Sequence, residues 1–241
     1  MMAASSRGVV TGVTVALLAL AAYAGDAAVA VLLAFVGSVF AFGWPRLVSV
    51  PSKRGTWVVI GLAGIAAIVS VWFTQDILWL ATVVAGGVIG AFVHQMARRD
   101  GRPRLVETVC ATVTGVVVVV SSVGWLMTSL VRGGLELTLV SAAVLLVAAM
   151  ITTIPAPGVV VASGAAAIAG AVGMLVGSLL GEVGLVPGLL IGVVGGGLMA
   201  LSHLLFNQFP VSGNRRAALA AALMPLATLG TPVYLVAQVL G

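Results

Sequence analysis

His94, His203 and Glu107 are the ionisable residues that this sequence places inside its apolar runs or at their edges. A charge in hydrocarbon is expensive unless it is paired, so a functional role is the first hypothesis for each of them. His94 lies four residues before Arg98, which puts it roughly 6 Å inside its segment at about 1.5 Å per helical residue. Glu107 opens the next run, within reach of His94 across the turn. His203 lies deeper, about two turns before Pro210, and Asn207 follows it one turn on along the same helical face. Two histidines near one mouth of a helical bundle would relay a proton or gate a solute. The plainer alternative, interhelical hydrogen bonds that fix helix positions, carries more of the weight. No metal site is expected, because a histidine pair without clustered carboxylates or thiolates is a poor ligand set.

Other chemistries lack their residues. The sequence holds no HExxH, no GxSxG, no GxxxxGK[ST] and no clustered aspartates, so neither hydrolytic nor nucleotide-driven catalysis is expected, and no cofactor is implied. The single Cys110 excludes an intramolecular disulfide and lies in an apolar run, where it reads as a small packing residue.

The elements that position these residues follow from composition. Of 241 residues, 61% are hydrophobic and 7% charged, far from the roughly 25% charged residues of soluble domains, and this defines an integral membrane protein. The net charge of +5 does not imply a nucleic-acid surface, since no soluble face gathers the bases. The preference for arginine with abundant Ala, Val and Gly suggests a GC-rich bacterial genome, hence the inner or plasma membrane of a bacterium, crossed many times.

A helix needs about 20 apolar residues to cross about 30 Å of hydrocarbon. Polar, Pro and Gly punctuation then gives nine spans, at about 8–24, 27–43, 56–73, 77–96, 106–130, 135–153, 158–181, 185–206 and 217–240. The first two are parted only by Gly25 and Asp26, so one bent element or a re-entrant pair is the alternative. The start resembles a secretory signal ending at Ala22-Tyr23-Ala24, yet apolar sequence resumes at once, which favours an uncleaved first span. Short cytoplasmic loops retain Lys and Arg. With a cytoplasmic N-terminus the inner segments hold Arg7, then Arg46, Lys53 and Arg54, then Arg98, Arg99, Arg102 and Arg104, and finally Arg215 and Arg216. Ten of eleven bases are then inside, and only Arg132 is outside. These residues are topology anchors that also meet anionic lipid heads. The outer loops carry Asp26, Asp76, Glu136 and Glu182; three of these stand at helix starts and read as caps, not as a cation-attracting ring.

Sliding the chain on itself by 109 residues aligns 55–94 with 164–203 at nine identities in forty positions, including Gly55, Gly61, Gly64, Gly86, Gly87 and His94. The same offset sets Ser121-Ser122 on Gly230-Thr231 and Trp125 on Tyr234. The expected architecture is an all-α polytopic bundle of two parallel four-helix repeats, residues 1–105 and 106–216, closed by a ninth helix at 217–241.

Small residues at four-residue spacing mark helix contacts. One such stripe is Thr82, Gly86, Gly90 and His94, which turns His94 toward protein; the densest pattern is Gly173, Gly177 and Gly181 facing Gly188, Gly192 and Gly196. The run Gly195-Gly196-Gly197 is expected to weaken its helix, as in discontinuous transporter helices, while Pro225 and Pro232 bend the last span around Thr228 and Thr231. A solute path is therefore expected between Gly197 and the bent helix. The leading functional expectation is a small permease for a small or amphipathic solute. The runner-up is a non-catalytic envelope scaffold that binds lipid, another membrane protein or its own copies.

Overall fold

The structure, a computed structural model, describes residues 4–99, 101–154, 156–208 and 214–240, with side chains from 8 to 206 and from 214 to 238 within those ranges. They form ten helices: α1 (Ala4–Ala24), α2 (Asp26–Leu47), α3 (Lys53–Thr74), α4 (Leu78–Ala97), α5 (Leu105–Ser122), α6 (Gly124–Ser129), α7 (Gly134–Ile151), α8 (Gly158–Leu179), α9 (Leu185–Gln208) and α10 (Arg215–Leu240). Among the described residues eight helical spans are long and apolar enough to cross a membrane, with α5 and α6 together making one of them. The apolar part of α1 described with its side chains, Gly8–Ala24, is shorter.

Hairpins define two ends. Arg104 donates to the Ser49 carbonyl at 3.0 Å and Ser52 bonds His94, so the α2–α3 and α4–α5 turns lie together; the carbonyl of Arg216 packs on Gly43, which brings the start of α10 to the same, basic end. Arg132 pairs with Glu182 at 3.4 Å at the opposite end, joining the turns before α7 and before α9. The α1–α2 reversal at that end turns on Gly25, whose φ of 114° and ψ of 174° belong to a region essentially closed to other residues. Gly25 therefore separates two antiparallel helices rather than kinking one.

α10 occupies the middle, touching α1, α2, α5, α6, α7 and α9. The α3–α4 hairpin leans on α5 from one side and the α8–α9 hairpin leans on α7 from the other. Lipid is as apolar as leucine, so close packing and hydrogen bonds, not water exclusion, hold such a bundle. Accordingly the contact between α8 and α9 is glycine on backbone: Cβ atoms at Gly173, Gly188 and Gly192 would strike carbonyl oxygens of the facing helix, and one at Gly177 would stand 2.6 Å from the Gly184 oxygen.

Several expectations change here. Gly181 lies beyond the end of α8 with nothing within 4 Å of its Cβ position, so that stripe ends at Gly177. On α4 the packed face is Gly87, Ala91 and Gln95, with Gly87 against Val116 of α5. Gly86 is exposed with no neighbour within 4 Å, and Gly90 meets only Val59 at 3.5 Å. The packed row repeats every four residues, one residue on from the row through Gly86 and Gly90. The glycine run does not break α9, which is continuous through Gly195-Gly196-Gly197. Gly195 faces Val144 of α7 and Leu229 of α10, Gly196 faces Ala165 and Ala169 of α8, and Gly197 faces open space. One glycine per neighbour accounts for the first two. The span read as 106–130 is itself broken, at Val123. Trp44 is buried near the end of α2 and donates Nε1–H to the Ala111 carbonyl at 2.7 Å.

Candidate functional site

His94 and His203 both lie toward the basic end, in different surroundings. The half-buried imidazole of His94 lies flat on Gly55, where any side chain would displace it, and its Nε2 is 2.7 Å from Ser52 Oγ. Glu107, expected to reach His94 across the turn, pairs instead with Arg104 three residues before it. The arginines of that turn fold back on the end of α4: Arg98 donates to Gln95 Oε1 at 2.8 Å and Arg102 to the Met96 carbonyl at 2.9 Å. Cations there complement the negative pole of the helix.

One turn inward is a polar layer that charge and motif reasoning missed. Thr56 of α3 and Thr112 of α5 are fully buried with hydroxyls 3.2 Å apart; Thr112 also donates to the Thr108 carbonyl, so Thr56 is the donor between them. Gln95 of α4 is fully buried as well, and its Nε2 is without a hydrogen-bond partner. Leaving an amide donor unpaired costs about 1–3 kcal/mol, whereas an apolar group of that shape incurs no such cost. Gln95→Leu should therefore hold or raise the thermal midpoint of the purified protein. A clear drop would show that Nε2 is satisfied by ordered water.

His203 lines a cavity of about 30 Å³ bounded by α1, α7, α9 and α10. Thr11, Thr152, Ser202 and His203 supply its polar wall, and Met199, Phe206 and Pro225 part of its apolar one. A void that size holds about one or two waters when two or more polar groups converge on it. Pro225 carries no N–H, so the carbonyl of Ala221, which also lines the cavity, gets no bond from it. The next carbonyl, that of Ala222, accepts from Thr11 Oγ1 at 2.7 Å. The side chain of Asn207 lies outside the described residues.

The second proline is matched in the same way. Pro232 deprives the Thr228 carbonyl of its helical donor, and Ser121 Oγ supplies one at 3.1 Å. Thr231 Oγ1 returns a bond to the Ser121 carbonyl at 3.2 Å, at the break between α5 and α6. The divided α5–α6 span and the proline-bearing α10 thus supply hydrogen bonds to each other's backbone. Trp125 adds a bond from Nε1 to the Leu226 carbonyl at 2.9 Å. Thr228 turns its own hydroxyl inward to the Met224 carbonyl at 2.9 Å. The structure therefore gathers His203 with Pro225 in one place, and Thr228 and Thr231 with Ser121 in another, while His94 belongs to a third.

Fold and composition define the class as an all-helical, multi-pass membrane protein. Compared with known proteins, the chain matches no family model, no curated protein and no solved structure.

Proposed function

We propose that the protein is a small permease that moves a small or amphipathic solute past His203, between α9 and the proline-bearing α10. The observation that carries this reading is the cavity at His203, whose mostly apolar wall carries Thr11, Thr152, Ser202 and His203. It lies beside α10, a continuous helix whose hydrogen-bond ladder lacks two donors at Pro225 and Pro232, and carbonyls freed beside a cavity are features of transporter sites. His203 is the solute- or proton-binding group in this reading, and Asn207 its neighbour in sequence. The chain is oriented with its basic end in the cytoplasm, α1 completes nine spans, and residues 1–105 and 106–216 descend from two parallel four-helix repeats closed by the helix at 217–241. The meeting of Ser121 with Gly230, positions that the 109-residue offset superposes, supports that duplication, as does the bond to Ser121 from Thr231, the counterpart of Ser122. The hairpins have diverged: Gly64 packs on Val119 of α5, its counterpart Gly173 on α9.

The test is water accessibility. Cys110 is exposed, so single cysteines along α9 and α10 are placed in a Cys110→Ser background and treated from each side with a small membrane-impermeant thiol reagent. Labelling of residues deeper than Met199 supports a path. Labelling confined to the end loops in every condition rules it out. In parallel, His203→Ala should abolish solute movement without loss of abundance; unchanged movement removes His203 from the mechanism.

One observation favours the alternative of a non-transporting scaffold in the bacterial envelope. The crossing of α5, α6 and α10 is backbone against backbone, and the larger void of about 310 Å³ lies away from it, between α1 and α2.

A further inference from the structure

We propose that this void is a lipid site, which takes one acyl chain of an anionic phospholipid from the leaflet at the basic end and holds the phosphate between Arg46 and Arg215. Its walls are Val9, Val13 and Leu17 of α1, Phe35 and Val39 of α2, and its floor is Leu219 and Leu223 of α10. The single hydroxyl there, that of Thr14, is already bonded to the Val10 carbonyl at 2.8 Å. Among the described residues nothing in the crevice offers a polar solute a free partner, and Val9, Val13 and Phe35 are exposed on its rim, open to the surroundings of the bundle.

Depth and charge select the occupant. From Val9 to Leu17 the crevice runs about 12 Å at about 1.5 Å per residue, close to half of a hydrocarbon core of about 30 Å. That is the depth of one leaflet. The floor continues toward the basic end at four-residue intervals, Leu223, Leu219, Arg215, so the apolar stripe ends in a cation. The wall of α2 also leads to a cation: Arg46 lies two turns on from Val39 along the same face, with its Nη1 on the Phe42 carbonyl at 2.6 Å. Four of the six acids, Asp26, Asp76, Glu136 and Glu182, lie at the far end. An acyl chain below an anionic headgroup fits this order of surfaces, and a zwitterionic lipid fits it less well. The site does not depend on whether the protein transports.

The test uses the full chain in nanodiscs of phosphatidylcholine with a minor fraction of phosphatidylglycerol, read by native mass spectrometry of the released protein. One phosphatidylglycerol per chain should be retained over phosphatidylcholine. Arg46→Gln and Arg215→Gln should each lower that preference roughly fivefold, the equivalent of about 1 kcal/mol per arginine. Leu219→Trp, which fills the floor, should lower retention of both lipids; if it fails to fold, the two arginine variants, at half-buried and exposed positions, still decide the matter. Equal retention of the two lipids by the native chain, or an unchanged preference in the double arginine variant, overturns the proposal. So does a dimer that loses its contact on Leu219→Trp, since a second copy would then be the occupant.

Discussion

Gly173→Leu is expected to leave almost no folded protein. A Cβ at Gly173 already meets the backbone of α9 at the Gly188 oxygen and stands 3.0 Å from Gly192 Cα, and the remaining leucine atoms have nowhere to go. Backbone cannot step aside as a flexible side chain can, so α8 and α9 must part along their whole length. Overpacking ordinarily costs about 1–3 kcal/mol. Here the interface is made of successive glycine contacts, and opening it at one point loses the others, so the cost should exceed about 4 kcal/mol. Gly177→Leu should behave alike, with the Gly184 oxygen 2.6 Å from its Cβ. The measurement is the yield of monodisperse protein in mild detergent and its thermal midpoint. Gly86→Leu and Gly197→Leu are the controls, because nothing lies within 4 Å of either Cβ position. Wild-type yield for Gly173→Leu would mean that α8 and α9 do not pack as described.

That contrast also shows what the sequence could and could not disclose. Four-residue glycine spacing pointed to the α8–α9 interface because both arms of the hairpin carry it. On α4 two candidate rows run side by side, through Gly86 and through Gly87, and spacing alone does not choose between neighbours one residue apart. The partner decides, and the partner is Val116 of α5, distant in sequence. The glycine run of α9 was misread for a related reason. Three adjacent glycines point in three directions: Gly195 and Gly196 serve separate contacts, Gly197 meets nothing, and α9 stays continuous through all three.

The sequence leaves α1 and α2 open between two spans and one bent element, which the backbone angles of Gly25 part, but eight spans were legible from apolar length. The break between α5 and α6 was not, since Ser, Val and Gly are tolerated within a membrane helix and the interruption becomes stable only with Thr231 to bond the Ser121 carbonyl. His203 could be singled out because an ionisable group in hydrocarbon is rare. Gln95, Thr56 and Thr112 could not, because hydroxyls and amides in such helices usually bond a carbonyl one turn back and carry no further signal.

Gly230→Val tests the central crossing and should be as damaging as Gly173→Leu, by a different route. A Cβ at Gly230 would stand 2.5 Å from the Ser121 oxygen and 3.0 Å from both the Ser122 oxygen and the Trp125 ring. Displacing α10 from that point would remove the Ser121 and Thr231 bonds together, leaving the Thr228 carbonyl that Pro232 orphans without a donor in an apolar core. Each buried polar group left unpaired adds about 1–3 kcal/mol to the steric penalty. Ser121→Ala removes the same donor without the clash, so it should cost only that lesser amount and leave a folded chain with a lower thermal midpoint. The pair of variants separates sterics from hydrogen bonding. If Ser121→Ala unfolds the protein as Gly230→Val does, the hydroxyl bond and not the close approach holds the two helices together. If Gly230→Val is stable, α10 does not cross α5 there, and the support this crossing lends to a duplicated chain goes with it.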